Sequence, residues 1–197
     1  MAMSAGKRES LSAAHWTEAA LEMLARGGLA AVAIEPLAKS LGTTKGSFYW
    51  HFTDRNALLE AALALWERRD TDQVLAGIDE TQDDVTRLRA LLRLAFSAVG
   101  SDAGRGGVEL ALQASASHAL VAPVLERVTD RRLAALSQLY AALGLSQTRA
   151  RDHALLAYTA FLGHAQLAHA TPALLPTGAA FRTHVDQVVE ALVAVDA

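Results

Sequence analysis

The stretch that decides the fold runs from Leu37 to Arg55 and reads LAKSLGTTKGSFYWHFTDR. Apolar residues around its start recur at the spacing of one buried helical face, namely Ile34, Leu37, Ala38 and Leu41. Gly42 predicts the end of that helix, because glycine adopts a positive φ without steric cost. Thr44 predicts the cap of a second, short helix, since its hydroxyl can accept a hydrogen bond from an unpaired N–H. The stretch therefore reads as helix, turn and helix.

The second of these helices has two different sides. Phe48 and Phe52 are four residues apart and predict its buried side. The other side carries hydrogen-bond donors, one cation and flat rings, with no acidic residue: Thr44, Lys45, Ser47, Tyr49, Trp50 and His51. Such a surface suits the major groove of DNA. The alternative is that the aromatic residues are simply core, but the two phenylalanines already fill the core side.

At these residues the segment resembles the helix-turn-helix of the TetR family of transcriptional regulators. The match lies in Tyr49-Trp50-His51, followed by Phe52 and by a cation at Arg55, where the family usually has lysine. At motif level the resemblance covers the N-terminal quarter of the chain, and beyond it rests on length and helix order. It implies base or groove contacts by Thr44, Lys45, Ser47 and Trp50, phosphate contacts by Tyr49, His51 and Arg55, and close approach of the backbone at Gly46.

The composition predicts a helical protein. The chain has 197 residues, is 52% hydrophobic and contains 4 prolines, while alanine and leucine abound. The absence of cysteine excludes a disulfide framework and a thiolate zinc site. The net charge is −3, yet six basic and five acidic residues lie in residues 1–55, and local charge decides DNA binding. Without a signal-peptide pattern or a bilayer-length apolar run, we expect a soluble, cytoplasmic protein.

The helical patterns predict an all-α protein of two domains. Residues 1–55 form the helix-turn-helix DNA-binding domain, and residues 56–197 form a helical domain for ligand binding and dimerisation. A helix over residues 54–70, capped by Thr53 or Asp54, connects the two. The remaining patterns predict helices over 83–100, 108–117, 123–143, 146–171 and 180–195, with a flexible stretch at 101–107.

Several polar or aromatic residues are embedded in the apolar helices of the second domain. They are Trp66, Phe96, Gln113, His118, Tyr140, His153, Tyr158, Phe161 and His164. A ligand pocket needs apolar walls with a few convergent polar groups, and the TetR resemblance implies such a pocket. The alternative for any one of them is a structural residue with its hydrogen bonds satisfied inside the core. Tyr158 and His153 are the predicted polar anchors of a mostly apolar effector.

Two helical stripes suggest a homodimer interface. The predicted interface residues are Ala154, Ala157 and Phe161 on one helix and Val185, Val188, Val189 and Leu192 on the last. The resemblance implies that these helices pair with their symmetry mates in a four-helix bundle. The alternative is that both stripes face the core of their own subunit.

No enzyme signature and no metal motif emerge from the sequence. The chain has no phosphate-binding glycine loop, no G-x-S-x-G elbow and no H-E-x-x-H pair, so we expect neither catalysis nor a metal or cofactor. The resemblance implies a ligand-responsive regulator, a repressor by family default, that binds palindromic operator DNA as a homodimer and is released by a small effector. The competing hypotheses are an all-helical protein-interaction module without a DNA target and an enzyme built on a helical bundle.

Overall fold

The computed structural model describes residues 11–99 and 105–195, and helix is the only regular structure in these two ranges. The helices are α1 (Ala13–Ala31), α2 (Ile34–Ser40), α3 (Lys45–Phe48), α4 (Arg55–Glu67), α5 (Gln73–Ala76), α6 (Asp84–Val99), α7 (Arg105–Gln113), α8 (Ala122–Ala142), α9 (Gln147–Ala170) and α10 (Gly178–Val193). A π-helical turn, Arg68–Asp72, joins α4 to α5, and a 3-10 turn, Pro172–Leu174, precedes α10. The all-α prediction is confirmed. Among the described helices, none is long and apolar enough to cross a membrane.

The local signals of the central stretch act as predicted. Gly42 has φ of 64° and ends the turn after α2. The hydroxyl of Thr44 accepts a hydrogen bond from the N–H of Ser47 at 3.4 Å, at the start of α3. Asp54 is the cap of α4, because its carboxylate accepts from the N–H of Ala57 at 2.9 Å. Each cap satisfies an N–H group that the start of a helix leaves unpaired.

Some helix boundaries differ from the predicted ones. The consecutive glycines Gly27 and Gly28 predict the end of the first helix, but α1 only bends there, with non-helical dihedral angles, and continues to Ala31. Helix α4 does not end near residue 70 but continues through the π-helical turn into α5. The predicted flexible stretch falls partly on residues 101–104, outside the described residues, while residues 105–107 begin α7.

Gly107, the last residue of the predicted flexible stretch, lies in α7 because of how closely this helix packs on α1. A Cβ at this position would lie 2.9 Å from the carbonyl oxygen of Ala25, so only glycine lets α7 approach α1 this closely. Glycine serves close packing here, where the sequence pattern suggested flexibility.

The apolar side chains form two clusters. The first joins α1–α4 to α7 and the start of α8, and its fully buried members include Trp16, Phe48 and Leu112. The second lies among α6, α8, α9 and α10 and includes Phe96 and Tyr140. The first cluster contains residues from both sides of position 55, so the two predicted domains share apolar packing, and their boundary stays a prediction.

The residues predicted for the dimer interface lie in the second cluster of their own subunit. Five of them are buried, namely Ala154, Ala157, Val185, Val189 and Leu192, while Phe161 and Val188 are half-buried against the same cluster. A side chain that is buried within one chain offers no surface to a second copy. The prediction for these five residues is therefore corrected: their stripes face the core of one subunit, which was the alternative.

Candidate DNA-reading surface and effector cavity

The DNA-reading surface is built on Phe48. This ring is fully buried and packs edge-on against Trp16, with ring centroids 5.4 Å apart, while it stacks on Phe52, with centroids 5.6 Å apart. With Phe48 turned inward, the next two side chains turn outward, so that Tyr49 is 53% and Trp50 87% exposed. An indole this exposed has no role in the core, and it is available for contact with another molecule.

Lys45 has an acidic partner that the sequence pattern did not reveal. Its Nζ lies 3.1 Å from Oε1 of Glu35, which α2 presents beside α3. The hydrogen bond and the negative charge of Glu35 raise the pKa of the Lys45 ammonium above its ordinary value. The surface predicted to be free of acidic residues is thus bordered by one carboxylate, that of Glu35 from α2. Lys45 must break its contact with Glu35 to reach a phosphate.

Arg55 is turned toward the protein. Its Nε donates a hydrogen bond to the carbonyl of Val32 at 2.6 Å, and its Nη2 donates to the carbonyl of Leu29. The guanidinium therefore ties the start of α4 to the segment between α1 and α2. Of the other predicted contact residues, Thr44 and Gly46 are exposed, whereas Ser47 and His51 are half-buried. Contact of any of these residues with DNA stays a prediction.

A cavity of about 110 Å³ lies between the two apolar clusters. Its apolar wall comes from the end of α4, from α5, from α6 and from α9, with Trp66, Leu75, Leu91, Phe96 and Phe161 as the main side chains. Gly106 of α7 also lines it. Because the cavity reaches the end of α4, it is adjacent to the helix that begins at the DNA-reading part.

One end of the cavity is a buried polar network formed by Glu109, Arg132, Tyr158 and Thr71. Arg132 Nη1 donates to Glu109 Oε2 at 2.7 Å, and Arg132 Nε donates to the hydroxyl of Thr71 at 3.0 Å. Arg132 Nη2 donates to the carbonyl of Asp70 at 3.2 Å, and the guanidinium lies 5.3 Å from the centre of the Trp66 ring. Arg132 thereby links α8 to the π-helical turn that continues α4.

The charges of this network balance each other. Burial lowers the pKa of Arg132, but the charge of Glu109 and its hydrogen bond raise it more, so the guanidinium stays charged. Burial and the nearby carboxylate raise the pKa of Tyr158 above its ordinary value, so its hydroxyl stays neutral. A paired, hydrogen-bonded ion pair is the form in which charges are tolerated inside a protein.

The cavity wall contains four of the nine residues predicted for the ligand: Trp66, Phe96, Tyr158 and Phe161. The other five, Gln113, His118, Tyr140, His153 and His164, are not part of it. Tyr140 donates to the carbonyl of Leu192 at 2.9 Å, and His153 packs against the Tyr140 ring, with centroids 5.3 Å apart. For Tyr140 the alternative of a satisfied structural side chain applies, and His153 lies outside the wall of this cavity.

The sequence reasoning missed Glu109 and Arg132, although a signal for each was present. Arg132 is four residues after Val128 and four before Leu136, so it lies on the buried stripe of α8. Glu109 likewise lies between Val108 and Leu112 on the buried stripe of α7. A charged residue on an apolar stripe indicates a buried polar partner.

The two histidines nearest the aromatic wall pair with each other. His164 Nε2 lies 2.9 Å from His184 Nε2, and His164 Nδ1 lies 3.2 Å from the carbonyl of Ala160. Within the described residues, no group of three or more histidine, aspartate or glutamate side chains is placed to hold a metal ion.

Comparison with known protein families matches residues 17–74 to the model of bacterial regulatory proteins of the tetR family. Residues 17–74 therefore form a domain of the tetR regulatory type. The HTH-type transcriptional regulator TtgR of Pseudomonas putida is 33% identical over 77 residues, which are 39% of this chain and 36% of TtgR. The chain thus matches little more than a third of the length of this relative.

Comparison with solved structures extends the similarity in fold to more than nine-tenths of this chain. A transcriptional regulator from Rhodococcus sp. Rha1 has a TM-score of 0.75 at 19% identity, covering 93% of this chain and 94% of that one. FadR from Bacillus subtilis, solved in complex with stearoyl-CoA, has a TM-score of 0.72 at 16% identity, covering 92% of this chain and 97% of FadR. The predicted family resemblance is confirmed, and the helices after α4 have the TetR-type arrangement.

Proposed function

We propose that this protein is a transcriptional repressor without catalytic activity, which binds palindromic operator DNA in the cytoplasm as a homodimer and is released by a small effector. The observation that carries the proposal is the continuity of α4 with the π-helical turn. Asp54 caps this helix beside the DNA-reading surface, and Thr71 at its far end belongs to the cavity wall. One continuous element therefore has a reading surface at one end and a ligand cavity at the other.

The DNA-binding half rests on Lys45, Tyr49 and Trp50. Lys45 lies in α3, and Tyr49 and Trp50 directly follow its last residue, the buried Phe48; all three side chains are exposed. Phosphate contacts give affinity and register, while base edges give sequence choice, and this surface offers a cation and a hydroxyl for the first. The resemblance assigns Trp50 to the groove.

Homodimerisation is proposed on a surface different from the stripes predicted from the sequence. The outer face of α9, defined here by Leu155, Leu156, Gly163 and Leu167, is exposed, with Leu155 at 51% and Leu156 at 55%. A Cβ at Gly163 would meet no atom within 4 Å, which leaves room for a second backbone. Two copies are needed because two recognition helices must lie about 34–36 Å apart to reach successive major grooves.

Release by an effector follows from differential affinity. A ligand in the cavity shifts the equilibrium only if it binds the DNA-free arrangement more tightly than the DNA-bound one. Linkage then requires that DNA weakens ligand binding by the same factor. The contacts of Arg132 with Thr71 and with the Asp70 carbonyl are the part of the cavity wall that touches the continuation of α4 directly.

The DNA half is tested by fluorescence anisotropy with the DNA upstream of the protein's own gene and with a random duplex. We expect tighter binding to the upstream DNA, and we expect Lys45→Ala and Tyr49→Ala to weaken it. Lys45→Ala should also reduce the salt slope by about one unit, because one phosphate contact is lost. The control is Arg93→Ala, which removes a cation on α6 that pairs with Asp186 and should leave the slope unchanged. Equal binding of both DNAs, or none, would favour the protein-interaction module.

The dimer is tested by sedimentation of Leu156→Arg. We expect a monomer with much weaker operator binding, because the charge would be buried in the interface without a partner. The matched control is Val85→Arg, which adds the same charge at an exposed apolar position of α6. A dimer that survives Leu156→Arg would place the interface elsewhere.

A further inference from the structure

The residues that line the cavity indicate which kind of effector it can bind. This inference rests on the proposed function. The polar end of the cavity holds the carboxylate of Glu109 and the guanidinium of Arg132 in contact, with side-chain exposures of 3% and 14%. Asp70 also lines the cavity, and the charge of its carboxylate acts on Arg69. The pair of Glu109 and Arg132 is electrically neutral and nearly removed from water. Any charge that a ligand brings to this pair is added to two charges that already balance each other.

A charged ligand group finds no unpaired partner in the ion pair of Glu109 and Arg132. A carboxylate would compete with Glu109 for Arg132 and would place two anions together, and an ammonium would compete with Arg132 for Glu109 and place two cations together. Either arrangement leaves one buried charge without compensation, which is costly in a protein interior. A hydroxyl or carbonyl group adds no charge and can use the hydrogen-bonding capacity that remains.

Tyr158 is held in the network by long hydrogen bonds. Its hydroxyl lies 3.4 Å from Glu109 Oε1 and 3.2 Å from the hydroxyl of Thr129, and Arg132 also acts on it. Both distances exceed the usual O–H···O range of about 2.5–3.0 Å, whereas the bond from Arg132 to Glu109 is short at 2.7 Å. A buried hydroxyl with two such long hydrogen bonds can gain from a further, better-placed partner.

The size of the cavity limits the ligand. An apolar cavity of about 150 Å³ in another protein holds one benzene molecule. A cavity of about 110 Å³ therefore suits a single ring or a short branched chain. A long acyl chain with a coenzyme A group, as in the FadR complex, would need far more space.

From these observations we infer that the cavity binds a small uncharged molecule, of about one ring or a short branched chain, whose single hydroxyl or carbonyl group hydrogen-bonds to Tyr158 and Glu109. The apolar part of the molecule packs against Trp66, Leu91 and Phe96. A hydroxyl head donates to the Glu109 carboxylate and accepts from the Tyr158 hydroxyl. A carbonyl head accepts from Tyr158 alone.

The test uses four one-ring probes that differ in the head group: benzyl alcohol, benzoate, benzylamine and toluene. Their binding to the full-length protein without DNA is measured by calorimetry near pH 7. We expect benzyl alcohol to bind at least about tenfold more tightly than benzoate or benzylamine, because only the charged heads bury an uncompensated charge. Tyr158→Phe should weaken benzyl alcohol binding by about tenfold and change toluene binding by less than about twofold.

The matched control is Tyr140→Phe. Tyr140 is also a buried tyrosine, but its hydroxyl donates to the Leu192 carbonyl and is not part of the cavity wall. This variant should leave the binding of all four probes unchanged. A general loss of packing would lower the binding of toluene and benzyl alcohol alike, which separates it from the loss of one hydrogen bond.

Three results would overturn the inference: tighter binding of benzoate or benzylamine than of benzyl alcohol, an equal effect of Tyr158→Phe on benzyl alcohol and toluene, or no binding of any probe up to its solubility limit. The proposed function is tested separately by operator binding in saturating benzyl alcohol. Preference for the neutral head with unchanged operator affinity would support the inference and overturn the switch.

Discussion

The buried pair of Arg132 and Glu109 makes a quantitative test of the structure possible. In the variant Arg132→Met the carboxylate of Glu109 keeps only the hydrogen bonds from Gln113, at 3.2 Å, and from Tyr158. Breaking a buried ion pair in this way costs about 3–5 kcal/mol of the free energy of unfolding. The lost bonds to Thr71 and to the Asp70 carbonyl are worth about 1 kcal/mol each, so we expect the upper end of that range.

The double variant separates the ion pair from the other contacts. Glu109→Gln keeps the shape of the side chain but removes its charge, and we expect it alone to cost about 3 kcal/mol. With both changes no charge remains buried, so the double variant should lose about 2–3 kcal/mol less than the sum of the single variants. The assay is urea unfolding followed by circular dichroism at one fixed protein concentration, because a dimer's stability depends on concentration.

An exposed ion pair provides the control. Arg93 and Asp186 lie 2.8 Å apart with side-chain exposures of 47% and 53%, and the coupling measured with Arg93→Met and Asp186→Asn should stay below about 1 kcal/mol. A coupling between Arg132 and Glu109 as small as that of the exposed pair would refute the description of this site as a buried, mutually dependent network.

Three further predictions follow from single contacts. Gly107→Ala should cost about 1–3 kcal/mol of the free energy of unfolding, because its Cβ would meet the Ala25 carbonyl at 2.9 Å. Gly106→Ala in the same helix, whose Cβ would meet no atom closer than 3.8 Å, should instead gain up to about 1 kcal/mol, and equal unfolding curves for the two would contradict the close approach of α1 and α7. Glu35→Gln should strengthen DNA binding several-fold and steepen its salt slope by about one, because it releases Lys45 for a phosphate, and an unchanged slope in anisotropy titrations would argue against this role. Burial raises the pKa of Tyr140 from 10.0 to about 12. Between these two pH values the unfolded chain releases a proton that the folded chain keeps, so the free energy of unfolding should fall with rising pH by up to about 1.4 kcal/mol per pH unit. Tyr140→Phe should remove that part of the pH dependence.

The DNA-reading part could be predicted in detail because its signals are local. Thr44 and Asp54 cap helices a few residues away, and Gly42 adopts the positive φ that its place in the turn requires. Phe48 and Trp50 differ in burial because they point to opposite sides of one short segment. What the local pattern missed is Glu35, since its contact with Lys45 depends on how α2 and α3 cross.

The cavity could be predicted only as an expectation of aromatic walls. Arg132 stands in the run Asp130-Arg131-Arg132, which resembles a solvated helix face, and its partner Glu109 is on another helix. The place of each residue on a buried stripe is visible in the sequence, but which partner it meets across 23 residues, between α7 and α8, is not. Apolar stripes also do not tell whether they face the core of one subunit or a partner, which is why Val185 and Val189 were assigned to the wrong surface.

The two neighbouring glycines of α7 give the cavity a second physical connection to the DNA-reading part. Gly106 lines the cavity, and Gly107 is pressed against the carbonyl of Ala25 in α1. Because close-packed contacts leave no slack, a displacement of α7 by a ligand must move α1 or break this contact. The other connection, through Arg132 to the π-helical turn, is made of hydrogen bonds that can exchange partners. If an effector occupies the cavity, α7 therefore transmits changes in its volume, whereas Arg132 transmits changes in its polar contacts.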